Sequence, residues 1–247
     1  MNIPTFTEAI DGVCCGCDWE IVTLNRLGLV PEAGKNTALV LGLLMSLPAM
    51  AVELSVNVKS ASGAVLEGMV VYAEPLDGQQ LPATDKVISV GQKGKSFTPY
   101  VSVSQAGNNV LFDNQDNITH HIYSVDGDSR FSFKIKAGEK RLQDGLNSAG
   151  EVAMGCNIHD WMSGYILLVD TPLFAKTAAQ GNVSFDVSET GRYKVTVWHP
   201  QLRAENNREA QVIDLNEDIQ ITAQLINGME AVPSQESDDD FDFISDY

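Results

Sequence analysis

The segment Gly155–Met162 constrains this chain more than any other feature, because it places three kinds of metal-binding side chain within seven residues. Cys156 offers a thiolate, His159 offers an imidazole three residues later, and Met162 offers a thioether three residues after that. A thiolate, two imidazoles and a weak axial thioether are the ligands of electron-transfer copper sites. Such ligands must be held rigidly, so the segment predicts a short loop between strands, with a second imidazole arriving from elsewhere.

The second imidazole is expected from an earlier strand edge, where the sequence offers the adjacent His120 and His121. Successive residues of a strand point to opposite faces, so only one of the two should reach the ion. His121 stays an alternative ligand, because a β-bulge would reverse the alternation. Met154 competes with Met162 for the axial position, but it lies on the strand before the loop and is interpreted as core.

Many short strands account for the rest of the apolar pattern. Residues 52–59 alternate between apolar and polar side chains, as half-buried strands do, and residues 181–187 and 193–198 predict a hairpin. Short strands separated by Gly, Asn and Asp, with no convincing amphipathic helix, predict an all-β sandwich or barrel of antiparallel strands. Further strands are predicted at residues 69–73, 87–90, 101–103, 110–112, 120–125, 131–135, 165–169, 211–215 and 219–225.

The charge balance narrows the classes of partner. The chain has 33 acidic and 16 basic residues, which give a formal net charge of −17. This argues against nucleic acid as a partner, because phosphate binding requires clustered Lys and Arg. A basic or weakly charged partner fits better, and a solvated acidic surface also keeps an exported protein soluble.

The first 51 residues are interpreted as a leader. A basic residue precedes the apolar run at residues 38–47, and an Ala-x-Ala site ends at Ala51, so residues 35–51 predict a secretory signal peptide. The apolar run is too short to span a bilayer comfortably. We therefore expect cleavage, a periplasmic mature chain and no stable membrane insertion. Residues 1–34 carry no clear fold signal.

The use of cysteine points to a ligand. Cys14, Cys15 and Cys17 precede the expected cleavage site, which leaves Cys156 as the single thiol of the mature chain. One cysteine cannot form an intramolecular disulfide, so Cys156 is either a buried apolar filler or a metal ligand. Its His and Met neighbours favour the ligand.

Three motifs carry a family resemblance: Cys-Asn-Ile-His-Asp-Trp-Met at residues 156–162, Asn-x-Asp-x3-His at residues 114–120, and Trp-His-Pro at residues 198–200. Together they resemble the cupredoxins, the small blue-copper electron carriers. The spacing is most similar to the amicyanin and plastocyanin-like members, and closest to the plastocyanin-like group called "methylamine utilization protein". The likeness runs from about residue 52 to about residue 200.

This resemblance implies a Greek-key cupredoxin sandwich or barrel with one copper ion. The implied ligands are His120, Cys156, His159 and Met162, with Asn114 as an outer residue that ties the two ligand loops together. In such proteins the electron crosses the exposed edge of the second ligand histidine, here His159. Redox partner proteins would then dock over this loop, in a small and transient interface.

Three other residues near these motifs receive structural interpretations. Trp161 is expected to pack beside the copper and shield it, whereas Asp160 is expected to face solvent in the ligand turn. His199 lies far along the chain and is interpreted as structural or exposed.

The chain also divides into segments. Residues 52–74 and 171–228 are predicted to form a small β-sandwich similar to transthyretin or to carboxypeptidase regulatory domains, with the cupredoxin domain at residues 86–170 inserted between them. Residues 229–247 form an acidic tail that is expected to be disordered, because it cannot bury enough apolar surface to become ordered. The aromatic residues of the tail leave a docking peptide as the alternative.

The leading functional hypothesis is a periplasmic electron carrier that is not an enzyme, since a complete set of four ligands leaves no open position for a substrate. Other catalytic signatures, such as G-x-S-x-G or a glycine-rich phosphate loop, are not found. The alternative is a copper-binding and copper-delivery module. A structural sandwich with a vestigial site is a third hypothesis, against which the intact ligand set argues. The pathway suggested by the group's name rests on analogy alone.

Overall fold

The computed structural model describes residues 51–235. Within that range the backbone is almost entirely strands and loops, with two single-turn 3-10 segments at Gly127–Ser129 and Glu205–Asn207. No α-helix occurs there, so none of the described helical segments is long and apolar enough to cross a membrane. The all-β prediction is confirmed, since apolar side chains at every second residue suit strands buried on one face. The leader expected at residues 1–51 lies, except for its last residue, outside the described range.

Sixteen strands build this part of the chain. In chain order they are β1 (Val52–Lys59), β2 (Val70–Pro75), β3 (Ile88–Gln92), β4 (Phe97–Thr98), β5 (Val101–Gln105), β6 (Val110–Asn114), β7 (His120–Ser124), β8 (Phe131–Ile135), β9 (Lys140–Gln143), β10 (Gly150–Cys156), β11 (Ser163–Val169), β12 (Phe174–Lys176), β13 (Asn182–Val187), β14 (Gly191–Trp198), β15 (Arg208–Leu215) and β16 (Ile219–Gln224).

The strands from both ends of the described chain form one sandwich, which we call the flanking sandwich (β1, β2 and β12 to β16). Its two sheets have the strand orders β13-β1-β16 and β12-β2-β14-β15. The alternation in β1 sends Leu54, Val56 and Val58 inward, into one buried cluster with Phe185 and Tyr193. Burial of this apolar surface is the main favourable contribution to its stability.

The nine strands β3 to β11 form a second sandwich, which we call the inserted sandwich. Its sheets have the orders β5-β11-β10-β7-β8 and β4-β3-β6-β9. In its core the ring of Phe112 meets the rings of Phe131 and Phe133 edge-on, with centroids 5.7 and 5.1 Å apart. Ile122 and Ile166 belong to the same buried cluster. The adjacent strands β7, β10 and β11 carry the candidate ligands.

Both sandwiches contain parallel as well as antiparallel pairs. β1 pairs in parallel with β16, β3 with β6, and β5 with β11. Most pairs are antiparallel, as the sequence predicted, but these three parallel pairs were not anticipated. Parallel neighbours require crossover connections instead of tight hairpins, and short strands with turns between them do not reveal which connections cross over.

A third apolar cluster joins the two sandwiches. Val101 and Leu167 of the inserted sandwich belong to one buried cluster with Val70 and Trp198 of the flanking sandwich. Trp198 is fully buried, and its Nε1–H donates a hydrogen bond to Glu151 Oε1 at 2.7 Å. The strands group along the predicted segment boundaries, but a buried cluster joins the two sandwiches, so their division into separate domains stays a prediction.

Three strands and one terminal segment differ from the sequence expectation. The strands β4, β9 and β12 were not predicted, because they are two to four residues long and β9 is mostly exposed. Residues 229–235, expected to begin the disordered tail, make defined contacts instead. The Glu230 N–H donates to the Gln201 carbonyl at 2.8 Å, for example. The rest of the predicted tail, residues 236–247, lies outside the described residues.

His199 directly follows β14 and is buried, so the expectation of an exposed side chain is wrong and a structural role remains. Its Nδ1 accepts a hydrogen bond from the Gln201 N–H at 3.1 Å. Burial, with a smaller contribution from the Lys176 cation, lowers the pKa of His199 to about 4. The imidazole therefore stays neutral in the folded protein at pH values that protonate it in the unfolded chain.

We expect His199 to make the protein less stable in acid. Because its folded-state pKa lies below the ordinary value of about 6.5, its contribution is complete above that pH and is lost as the pH falls to about 4. The loss amounts to about 3 kcal/mol. The variant His199→Asn keeps an acceptor for the Gln201 N–H. Its free energy of unfolding should lack the part that His199 loses in acid. Urea unfolding of both proteins between pH of about 7 and 4 measures it, and parallel pH profiles would contradict it.

Candidate metal centre

Strand pairing brings the candidate ligands together at one end of the inserted sandwich. β7 begins at His120 and β10 ends at Cys156. The two strands are antiparallel neighbours with Ile122 opposite Cys156, so His120 stands close to the cysteine. Residues 157–162 form the turn into β11 and bring His159 to the same end.

Three ligand atoms converge there. Cys156 Sγ lies 3.7 Å from His120 Nδ1 and 3.7 Å from His159 Nδ1. All three atoms lie within 4.8 Å of one another, and all three residues are buried. Two nitrogen donors and one sulfur donor are therefore close enough to share a single metal ion.

The spacing fits an ion that lies between the three atoms. Metal bonds of about 2.3 Å to sulfur and about 2.0 Å to nitrogen place these donors roughly 3.5 to 3.7 Å apart, for angles between tetrahedral and trigonal. The observed sulfur-to-nitrogen distances of 3.7 Å fall in that interval. Zinc and copper share this spacing, and the donor chemistry discriminates between them. A thiolate and two imidazoles with a thioether nearby suit copper.

The fourth candidate ligand, Met162, is only 1% exposed and belongs to the same apolar cluster as Cys156. Its backbone N–H donates to the His159 carbonyl at 3.0 Å, which closes the ligand turn. Met154, on β10, belongs to the same cluster. Both methionines therefore belong to the same core cluster as Cys156, and the place of Met162 in the ligand turn favours it as the fourth donor.

The ligand turn itself covers the solvent side of the site. His159 is 7% exposed, and its ring centroid lies 5.3 Å from that of Trp161, with the ring planes tilted by 59°. Trp161 thus packs beside the His159 imidazole, and its shielding of copper stays a prediction. Asp160 is exposed, as expected for a turn residue.

Asp116 orients His120, a role that the sequence analysis did not assign. Its Oδ2 lies 2.9 Å from His120 Nε2, which leaves Nδ1 to face Cys156. The carboxylate also accepts backbone N–H bonds from Gly94 at 2.6 Å and Lys95 at 2.9 Å. Burial raises the pKa of Asp116, but these hydrogen bonds together outweigh burial and lower it. A carboxylate on the distal nitrogen is a common way to orient a metal-binding imidazole, and the available signal was the Asp-x3-His spacing.

Hydrogen bonding favours the thiolate form of Cys156. Burial raises its pKa, but the His120 ring and three backbone N–H groups outweigh burial, so the pKa of Cys156 is lowered. Burial likewise opposes the charged form of His120, yet the bonds to Cys156 and Asp116 raise its pKa. The thiolate is the form of cysteine that binds metals. The three N–H groups belong to Ile158, His121 and His159.

The pKa of His159 shifts in the opposite direction from that of His120. Burial, followed by the charges of His120 and Lys95, lowers the pKa of His159. A neutral imidazole keeps the lone pair that a metal requires. Burial and neighbouring charges therefore favour the neutral form of His159, whereas the bonds to Cys156 and Asp116 favour the protonated form of His120.

Asn114 is fully buried, but its hydrogen bonds differ from those expected. Its Oδ1 accepts the Asp116 N–H at 3.0 Å, and its amide donates to three carbonyls in the loop before β7 and at the end of β8. The expectation that Asn114 ties the two ligand loops together is wrong, because these bonds connect the loop that carries His120 to the end of β8 and do not reach residues 157–162. The three carbonyls are those of Ile118 at 2.8 Å, Ile135 at 3.1 Å and Lys136 at 3.0 Å.

His121 lies on the opposite face of β7 from His120. His120 is fully buried, whereas His121 is partly exposed, and its ring nitrogens bond to Ser132 Oγ at 2.9 Å and to Asn157 Nδ2 at 3.2 Å. The pairing of β7 with β8 runs in register from His120 to Ser124, so no bulge reverses the alternation there. The converging donor set therefore contains His120 and not His121.

A groove of about 380 Å³ reaches the site from the surface. Its lining includes Cys156 and Met162 at its inner side and Tyr123 and Asp160 nearer to solvent. Both sulfur donors are therefore approached by a solvent-connected groove, although their own exposed surface is small.

The end of the described chain lies beside the ligand turn. Gln235 Oε1 accepts the Ser163 N–H at 3.1 Å, and the Gln235 carbonyl accepts the Ser96 hydroxyl at 3.0 Å. Ser163 directly follows Met162. The acidic residues 236–247 thus continue the sequence from a point at the edge of the candidate metal centre.

The chain matches no protein-family model and none of the curated proteins. Among solved structures it is similar to a purple cupredoxin from Nitrosopumilus maritimus, with 18% identity, 33% of this chain and 99% of that chain covered, and a TM-score of 0.30. The Cu(I) form of an amicyanin mutant gives 16% identity, coverages of 35% and 86%, and a TM-score of 0.32.

A third similar structure is a copper-containing nitrite reductase from Thermus scotoductus, with 25% identity and a TM-score of 0.32. The match covers 39% of this chain and only a quarter of the reductase, 25%. Because all three TM-scores are near 0.3, we base the functional proposal on the geometry of the site. The resemblance to the methylamine utilization group stays a prediction.

Replacing Asn114 should destabilise the fold around His120. Asn114→Ala removes a buried donor from three carbonyls and an acceptor from Asp116, which should lower the free energy of unfolding by about 3 kcal/mol. Asn117→Ala is the matched control, since Asn117 is exposed in the same loop and its loss should cost less than about 0.5 kcal/mol. Urea unfolding measures both, and equal losses would contradict the bracing role.

Proposed function

We propose that this chain is a type 1 copper protein that carries single electrons between redox partners. The observation that best supports it is the buried convergence of Cys156 with His120 and His159. These three side chains would hold the ion, with Met162 as a weak fourth donor. When bound, copper supplies reversible one-electron Cu(I)/Cu(II) chemistry.

The chain's contribution is a ligand set that does not need to rearrange. The carboxylate of Asp116 and the brace of Asn114 hold His120 in place, and β10 holds Cys156. The donors are almost fully buried, although a groove reaches Cys156 and Met162. Rigid ligands suit an electron carrier, because both oxidation states then share one geometry.

We further propose that electrons leave through the small exposed edge of His159, with partners docking over residues 157–162. A complete donor set of four leaves no position for a substrate, which favours a carrier over an enzyme. The interface with a partner is expected to be small and short-lived. The predicted signal peptide at residues 35–51 supports a periplasmic location.

The charge of the chain favours a basic partner. Six of the twelve residues at positions 236–247 are acidic and none is basic. This stretch continues from Gln235, which bonds to Ser163 at the edge of the ligand turn. Opposite charges on a partner would steer it toward this edge, at a rate that falls with salt.

The alternative function is copper binding and delivery without electron transfer. The groove that reaches Cys156 and Met162 favours this alternative, because soft donors near a solvent-connected groove allow a metal to be exchanged. A carrier should retain Cu(I) against a chelator such as bicinchoninate, whereas a delivery protein should release it rapidly.

The test is a Cu(II) titration of the full chain, followed by visible absorption and electron paramagnetic resonance, then by cycles of reduction and reoxidation. The proposal predicts an intense thiolate-to-copper band and narrow copper hyperfine splitting that bleach and return reversibly. Weak absorption with ordinary tetragonal splitting, or preference for zinc, would reject the electron-transfer function.

Two methionine variants and one cysteine variant test the ligand set. Cys156→Ser should abolish the intense band, because the absorption requires the thiolate. Met162→Leu should keep the colour but raise the reduction potential, since a weak donor that favours Cu(II) is lost. Met154→Leu, a similar buried methionine on β10, is the matched control and should leave the potential unchanged. Equal effects of the two methionine variants would remove Met162 from the site.

Neutralising the tail should change how the protein reacts with charged reagents. At low salt, the triple variant Asp238→Asn, Asp239→Asn, Asp240→Asn should slow oxidation by cationic tris(phenanthroline)cobalt(III) about 3- to 10-fold and speed oxidation by anionic ferricyanide. One electron passes from Cu(I) to the reagent in each case. Stopped-flow decay or growth of the copper band gives the rates.

The matched control removes three charges from the flanking sandwich. Asp186→Asn, Asp214→Asn, Glu217→Gln alters exposed acids and leaves the tail intact. Its rates should differ less from those of the unmodified chain than do those of the tail variant. Indistinguishable rates for the two variants would mean that total charge, and not the tail, governs the encounter.

A further inference from the structure

Basic residues gather at the ligand end of the inserted sandwich, against the trend of the chain. Acidic residues outnumber basic ones 33 to 16 overall. Over residues 93–95 and 134–141, however, six residues are basic and one, Glu139, is acidic. The six are Lys93, Lys95, Lys134, Lys136, Lys140 and Arg141. A local excess of one charge marks a surface that attracts the opposite charge.

Part of this excess has a structural explanation. β8 and β9 lie at the edges of their sheets, and charged side chains, lysines especially, keep an exposed edge from pairing with another chain. The basic residues on these two strands are Lys134, Lys140 and Arg141. Lys93, Lys95 and Lys136 lie in turns instead, and the protection of an edge does not explain them.

Both turns lie beside the loop that leads into β7. Residues 93–96 connect β3 to β4 and donate two backbone N–H groups to Asp116. Residues 136–139 connect β8 to β9, and the Lys136 carbonyl accepts from the Asn114 amide at 3.0 Å. We call these two segments the lysine turns. Because they contact the same loop, their charges lie on one end of the sandwich.

The lysine side chains present positive charge next to the ligand turn. Lys93 and Lys136 are exposed, and neither forms an ion pair with a carboxylate of residues 51–235. Burial lowers the pKa of His159 most, and nearby charges that include Lys95 lower it further. A basic surface therefore adjoins the candidate metal centre of an acidic protein.

The described chain ends beside the first lysine turn. The Gln235 carbonyl accepts the Ser96 hydroxyl at 3.0 Å, and Gln235 Nε2 donates to Ser163 Oγ at 3.3 Å. Twelve residues follow, of which six are acidic and none is basic. An extended chain covers about 3.3 Å per residue, so these residues can span up to about 40 Å. A segment of this length that begins beside Ser96 reaches both lysine turns.

We propose that residues 236–247 bind to the two lysine turns of their own chain and cover one side of the ligand end of the inserted sandwich. A segment that begins next to its binding surface has a high effective concentration there, so several weak ion pairs can together hold it. The inference does not depend on copper. Under the proposed function, a basic partner would have to compete with the lysine turns for this segment.

Carbodiimide cross-linking of the copper-free full chain tests the contact. The reagent takes up the water that is lost when a carboxylate and a neighbouring lysine amine form an amide, and mass spectrometry of the digested monomer identifies the pair. Residues 236–247 should couple to Lys93, Lys95 or Lys136 and not to Lys86. Lys86 is the matched control, because it is exposed and precedes β3, whereas Lys93 follows that strand. Raising the salt from about 0.02 M to about 0.5 M should lower the yield about 5-fold.

Amide NMR spectra of copper-free variants provide a second measurement. In Asp238→Asn, Asp239→Asn, Asp240→Asn, the signals of residues 93–96 and 136–139 should shift from their positions in the unmodified chain, because the ion pairs are weakened. The control Asp186→Asn, Asp214→Asn, Glu217→Gln removes as many charges from exposed positions of the flanking sandwich and should leave these signals in place.

Three results would overturn the proposal. Cross-links to Lys86 as frequent as those to the lysine turns would mean that residues 236–247 have no preferred site. Cross-links found only in dimers would make a second copy of the chain the occupant. No cross-links and unchanged amide signals would leave the lysine turns to an acidic partner. All of these measurements use the copper-free chain, so their failure is distinguishable from failure of the proposed function.

Discussion

The antiparallel pairing of β7 with β10 is the constraint on which the candidate metal centre depends. Ile122 opposite Cys156 sets how far His120 stands from the sulfur. A shift of this register by one residue would turn His120 outward and His121 inward, because side chains alternate between faces. Ile122 opposes such a shift, since it is fully buried in the core of the inserted sandwich and would be exposed by it. The register that buries Ile122 in the core is therefore also the register that places His120 beside Cys156.

Ionisable groups at the site stabilise each other's charged or ligand forms. An isolated buried thiolate or carboxylate would be costly, and each is offset here by hydrogen bonds. Asp116 receives two backbone N–H bonds from the β3–β4 connection and faces His120, which in turn faces Cys156. This sequence of contacts joins both sheets of the inserted sandwich. It holds the three donors in one connected set of contacts.

The flanking sandwich supports the ligand strand at its far end. Trp198, fully buried at the junction, donates to Glu151 near the start of β10, and Arg208 lies 3.7 Å from the same carboxylate. β10 is thus held by the flanking sandwich at one end and carries Cys156 at the other. Gln235 brings the end of the described chain back to Ser163, next to the ligand turn. Residues on the C-terminal side of the inserted sandwich therefore contact it near the start of β10, through Trp198, and beside the ligand turn, through Gln235.

The sequence by itself determined the donor types and the all-β class, because both depend on local spacing: Cys156, His159 and Met162 share one turn, and apolar residues recur with a period of two. It also predicted that the two adjacent histidines face opposite ways. Only the tertiary structure decided which of them meets Cys156, which carbonyls Asn114 braces, and which strands pair in parallel. Those outcomes depend on contacts between residues far apart in the chain, such as the 36 positions that separate His120 from Cys156. Strand register and core packing select such contacts, and the spacing of neighbouring residues does not determine either of them.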